Sequence, residues 1–183
     1  MSFHFIGSES NGAIDGKLKK FSVDAAHSGV LGPGDLVLIT GTADAEGVAE
    51  VDTGTANTAN TGVIMGVAPN YAGESLSITH LPATTAGTVY VNVDPLATYE
   101  VPVSNGPLVA DNVGLNAPAV VTAGTVSGSV FVSNMGVNAT GVNTTATLPL
   151  TIVALAEDED GVLGNRAIVR LNATQSKAGG TGI

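Results

Sequence analysis

The sequence predicts an all-β protein: two small antiparallel sandwich or barrel modules behind an extended N-terminal arm, with very little helix. Three observations carry that expectation. Apolar and polar residues alternate over short runs, the period of a half-buried strand. Gly, Pro, Asn and Asp clusters separate the runs, and such clusters favour chain reversal. No long segment shows the 3.6-residue period of a helix.

Taken in order, residues 1 to 15 read as the arm, which carries Phe3, Phe5 and Ile6. Residues 16–97 form the first module. Asp24-Ala25-Ala26-His27 has room for one helical turn before Gly29. Gly32-Pro33-Gly34-Asp35 turns the chain into Leu36-Val37-Leu38-Ile39. That run and Val63-Ile64-Met65-Gly66-Val67 are continuously apolar, which suits strands buried on both faces. Asp44-Ala45-Glu46-Gly47 and Pro69-Asn70-Tyr71-Ala72-Gly73 read as turns. Thr88 to Val93 places three valines on one face and Thr, Tyr and Asn on the other.

Residues 98–183 form the second module. Tyr99, Val101 and Val103 share a face, while Pro102, with no amide donor, predicts a sheet edge or a bulge there. Ser104-Asn105-Gly106-Pro107 turns, and Ser129 to Ser133 is a further strand. Leu148, Leu150, Ile152 and Ala154 share a face, and Asp160-Gly161 reverses the chain. The run Leu76 to Leu81 followed by Thr88 to Val91 echoes Leu150 to Leu155 followed by Ala167 to Arg170, as two hairpins would. Ala178 to Ile183 reads as a flexible tail.

Composition narrows the function. A chain of 183 residues buries roughly 70% of its unfolded surface, enough for a core without staples. Cysteine is absent, which removes disulfides, thiolate catalysis and Cys-based zinc sites. The net charge is −10, and all six basic residues stand near the two ends. Phosphate neutralisation needs Lys and Arg, so the reading is no nucleic acid. The front has no secretory-signal pattern, and no apolar run approaches the ~18 residues of a membrane span. The expectation is a soluble, unprocessed protein with no membrane partner.

Candidate chemistry is thin. Asp158, Asp160 and Gly161 resemble part of a calcium loop, but no Glu stands at its twelfth position, and a solvated hairpin turn is the better reading. Glu46, Glu50, Glu74 and Glu100 are available as paired carboxylates, yet nothing in the sequence makes two converge. His4, His27 and His80 are too scattered for a metal site and read as surface or interface residues. Three Asn-x-Thr sequons are what an Asn- and Thr-rich chain produces by chance. No nucleophile, base and orienter can be named together, so the expectation is a non-enzyme without cofactor. The aromatics at Phe3 and Phe5 either pack on their own domain or dock on a partner chain. Lys17, Lys19 and Lys20 read as a partner-facing patch or as a protected strand edge.

The order of several motifs resembles a family. Phe21-Ser-Val-Asp-Ala-Ala26, Leu31-Gly-Pro-Gly-Asp-Leu-Val37, Gly62-Val-Ile-Met-Gly-Val67, Val91-Asn-Val-Asp-Pro95 leading into Tyr99-Glu-Val-Pro-Val103, and Val169-Arg-Leu-Asn172 are similar to the small decoration (cement) proteins of tailed-bacteriophage capsids. The resemblance implies a β-rich protein made in the host cytoplasm and carried on the outer capsid surface of the virion. It implies the major capsid protein as partner, with self-association as homodimer or homotrimer. It brings no catalytic residues. The expected contacts are Phe3, Phe5, Ile6, Lys17, Lys19, Lys20, Arg166 and Arg170, the basic ones facing an acidic shell. The alternative is an adhesin-like or surface-layer binding module.

Overall fold

A computed structural model describes residues 2–8, 17–68 and 79–172, and the protein is all-β. The chain opens with β1 (His4–Ser8) and then builds a closed barrel from β2 (Leu18–Val23), β3 (Leu36–Ala43), β4 (Ala49–Thr53), β5 (Gly62–Val67) and β6 (Gly87–Asn92). The barrel order is β2-β4-β3-β5-β6, antiparallel except for β2 against β4. Then follow β7 (Ala97–Ser104), β8 (Asn116–Ala117), β9 (Ala119–Val120), a separate hairpin of β10 (Thr125–Ser127) and β11 (Val130–Val132), β12 (Gly136–Asn138), β13 (Leu150–Glu157) and β14 (Leu163–Leu171). These make a seven-stranded sheet in the order β8-β13-β14-β7-β12-β9, with β1 also on β7.

The alternation read in the sequence sets the two cores. On β6, Val89 and Val91 are buried in the barrel while Tyr90 faces out. The continuously apolar strands do something further. Val37 and Ile64 point into the barrel core, and their neighbours Leu36 and Val63 point into the core of the second sheet. β3 and β5 are therefore a wall shared by both cores, which is why neither face of these runs carries polar residues. The turn at Gly32 to Asp35 closes with Asp35 N donating to Gly32 O at 3.1 Å. It is bound to the connection between β11 and β12 by Ser133 Oγ, which donates to Gly34 O at 3.1 Å.

Two expectations are corrected and a third is refined. The stretch read as an arm supplies β1, which pairs antiparallel with β7 from His4↔Glu100 to Ser8↔Ala97. β7 lies inside its sheet and not at an edge, with Pro102 opposite Arg166 of β14. Its other neighbours explain how proline is accommodated: β1 pairs no further than Glu100, β12 begins at Val103, and Pro102 falls in the gap. Ser129 to Ser133 does form a strand, but the hairpin it makes is largely exposed. The Pro69 turn, part of the Leu76 hairpin and the Ala178 tail lie outside the described residues.

Candidate binding surfaces

The residues expected to meet a partner divide sharply. Phe3 is 3% exposed and sits in the second core, edge-on to Tyr99 with ring centroids 6.0 Å apart. Phe5 packs against the same tyrosine, also edge-on at 6.0 Å. Burial of apolar area on their own domain holds these rings, so Phe3 is not a docking residue. Ile6, on the outward face of β1, is exposed.

Lys17 and Arg166 are engaged within the chain. Lys17 Nζ lies 2.9 Å from Asp94 Oδ2, and Ser8 Oγ donates to the same carboxylate. Asp94 Oδ1 accepts from Leu96 N at 3.0 Å. This one buried aspartate thereby joins the end of β1, the start of β2 and the turn into β7. Arg166 Nε is paired with Glu100 across the β7–β14 ladder. Lys19 and Lys20 are exposed on β2. The Asp44 carboxyl is held below its usual range by the Val48 amide above all, with nearby Lys20 a minor contributor. Arg170 borders a surface recess with Pro95 and Leu96. Lys17 and Arg166 thus spend their charge on carboxylates of their own chain, while Lys19 and Lys20 remain exposed on the barrel.

Of the histidines, His4 is exposed as expected, whereas His27 differs from the surface reading. His27 is buried, its ring nitrogens 2.7 Å from Gly29 O and 2.9 Å from Thr85 O, so it clamps two loops together. His80 stacks on Phe131. Beside His27 the barrel holds a cleft of about 290 Å³ that Asp24, Glu50 and Asp52 line. Among the described residues no group of three or more His, Cys, Asp or Glu is placed to hold a metal.

The acidic run 157–160 is the hairpin turn the sequence suggests. Asp158 Oδ1 accepts from Asp160 N at 3.0 Å and Val162 N at 2.8 Å, and Asn165 Nδ2 donates to Oδ2 at 2.7 Å. These donors, Asn165 first, hold its carboxyl below the usual range. Its oxygens serve the turn itself, as Asx side chains commonly do.

Two apolar surfaces that the sequence reading missed now appear. The first runs along the β13–β14 hairpin from its turn back to Ile152. A strap from Leu108 to Leu115 crosses it, anchored where Leu108 N donates to Gly164 O at 2.9 Å and Gly114 N to Ile152 O at 2.8 Å. Val109, Val113, Val153, Val162 and Leu163 are all exposed around these anchors, and Leu163 is 56% exposed. Asp111, Glu157, Glu159 and Asp160 are exposed at its rim. The second surface is the β10–β11 hairpin, where Val126, Val130 and Val132 are exposed. The one signal in the sequence is the absence of charge between Asp111 and Glu157, which marks the stretch without showing which of its residues face outward.

Comparison with protein-family models, curated proteins and solved structures finds no match to this chain.

Proposed function

We propose that this chain is a structural virion protein that binds the outer surface of a tailed-phage capsid and cements neighbouring major capsid protein subunits. The observation that carries the reading is the apolar surface around Val109, Val113, Val153, Val162 and Leu163, with its acidic rim. An apolar centre inside a polar rim is the anatomy of a protein interface. The motif order from Phe21 to Asn172 supplies the kind of partner. Because Lys17 and Arg166 already face carboxylates of their own chain, the charge available at this surface is negative. The complementary coat surface is basic around an apolar centre, the reverse of the polarity read from the sequence.

The mechanism is interfacial and involves no covalent chemistry. A stable one-to-one complex commonly buries ~1,600 Å² in total. A patch of five large apolar side chains supplies part of that, and attachment at many symmetry-related positions supplies the rest through multivalency. The Asp158 carboxylate, filled by its own turn, gives the calcium-dependent adhesin reading no support of its own.

The test is co-sedimentation and electron microscopy of capsid shells with the wild-type chain and with Val113→Lys/Leu163→Lys. The wild type should decorate the shell, with attachment slowing as salt screens the rim. The variant should lose at least about tenfold in occupancy at limiting concentration. Full decoration by the variant would remove this surface from the mechanism, and bare shells with the wild type would remove the function.

A further inference from the structure

The β10–β11 hairpin stands apart from both sheets. Its register is regular, with Thr125↔Val132, Val126↔Phe131 and Ser127↔Val130. Among the described residues Phe131 and Thr79 hold it to the body. The Phe131 ring lies on two glycines so closely that a Cβ would stand 2.4 Å from it at Gly32 and 2.3 Å at Gly124. The ring stacks on His80 at 6.0 Å with an interplanar angle of 20°. Thr79 Oγ1 donates to Ser129 O at the tip at 3.1 Å, and Asn134 Nδ2 donates to Ala123 O at the base at 2.9 Å.

On the face opposite Phe131 stand Val130 and Val132, 60% and 40% exposed, with Thr125 and Ser127 beside them. Among the described residues neither strand has a second strand partner, so both outer edges present open backbone donors and acceptors. Exposed edges are normally guarded by Lys, proline, a bulge or an inward charge. This hairpin has none of these. The contrast with β13 is plain, since that strand carries register shifts after Ile152 and Ala156 and ends in four acidic residues.

We infer that the β11 edge is a self-association surface, where a second copy of this chain lays its own β11 antiparallel across a two-fold axis at Phe131. The charge distribution selects the occupant. Two copies carrying −10 each repel wherever their acidic residues meet. The stretch from Asn112 to Ala156 has no charge to repel with and none to attract an oppositely charged partner. A matching uncharged ribbon is what fits it, and each copy has one. Antiparallel pairing about Phe131 sets Val130 against the partner's Val132 twice, on one face, which is the cross-strand contact that stabilises a ribbon. Such a two-fold contact is isologous and closes at two copies.

The contact is short, at the small end of interface sizes, so the dimer forms weakly in free solution. The experiment is sedimentation equilibrium of the full chain, without any shell, over roughly 10 µM to 1 mM. A reversible monomer–dimer equilibrium is expected, and Val130→Lys/Val132→Lys should weaken it by at least about tenfold. Val162→Lys/Leu163→Lys, on the surface assigned to the shell, should leave it unchanged. Because the chain has no cysteine, register can be read as well. Oxidation of a Val130→Cys chain mixed with a Val132→Cys chain should cross-link the two faster than either alone. A monomer throughout, a trimer, a dimer indifferent to Val130→Lys/Val132→Lys, or equal cross-linking within each single variant overturns the inference. None of these outcomes bears on shell binding, which is measured with shells.

Discussion

The two hairpins of the second half are built on opposite principles. β13–β14 is long, lies within a sheet, and ends in a turn whose Asp158 accepts three hydrogen bonds. β10–β11 is three residues a side, uncharged, and held by an aromatic in a glycine-lined notch and by the Thr79 hydroxyl at its tip. The first draws its stability from the core, since Leu150, Ile152, Ala167, Val169 and Leu171 are all buried in it. The second buries little of itself. The comparison teaches that a strand pattern such as Val130-Phe131-Val132 says nothing about what covers it. Charge does not separate them either, since the uncharged stretch from Asn112 to Ala156 holds most of β13 as well as β10–β11.

Glycine substitution should break the two hairpins very unequally. Gly164 of β14 has φ +89°, and an added Cβ would meet Leu108 O at 2.1 Å. Gly164→Ala combines left-handed backbone with a clash against fixed backbone, and should cost about 3–4 kcal/mol in urea unfolding. Gly128, in the β10–β11 turn, has φ +62° with nothing within 4 Å, so Gly128→Ala should cost about 1 kcal/mol. Equal losses would mean that the strap at Leu108 yields freely.

The joint beneath the exposed hairpin supplies a second contrast. Asp35 is fully buried where the barrel turn meets Ser133, with Gly32 N donating to Oδ2 at 3.0 Å and Oδ1 left without a partner. Burial pushes its carboxyl up to about 6, against the smaller opposing pull of Ser133 and Gly32. In this case the folded state binds the proton more tightly than the unfolded one. The contribution is fully present below the unfolded value of 3.8 and is lost as pH rises through about 6. A shift of this size is worth at most about 3 kcal/mol. Stability measured by denaturant should fall between pH 4 and 7 by a part of that, and Asp35→Asn should flatten the curve. A profile unchanged by the substitution would place the proton elsewhere.

The smallest effect belongs to the acidic turn. Asp158 has a lowered pKa, so its contribution runs the other way, present above the unfolded carboxylate value and lost as pH falls through the folded one. Asp158→Ala should speed hydrogen exchange at the Val162 amide while leaving the β10–β11 amides as they were. Faster exchange in both hairpins would show that they open together.

Much of the fold was legible in the sequence. The valines of β6, the apolar runs that became the shared wall and the turns at Gly32, Asp44 and Asp160 follow from local chemistry. Pro102 misled because its tolerance depends on where two other strands stop, β1 at Glu100 and β12 at Val103. The surfaces were less legible for a related reason. Lys17 and Arg166 looked available, yet their carboxylates lie 77 and 66 residues away in sequence, at Asp94 and Glu100. Phe3 was ambiguous between core and partner until Tyr99 was placed beside it. The uncharged stretch after Asp111 needed no structure to be noticed. What it needed was the knowledge that its valines face outward.

The wall of β3 and β5 has a mechanical consequence. Leu36 and Val37 are successive residues seated in different cores, as are Val63 and Ile64, so neither half can let go without unseating the other. A load applied to the sheet is carried straight into the barrel, and heating should meet one block that gives way in a single step.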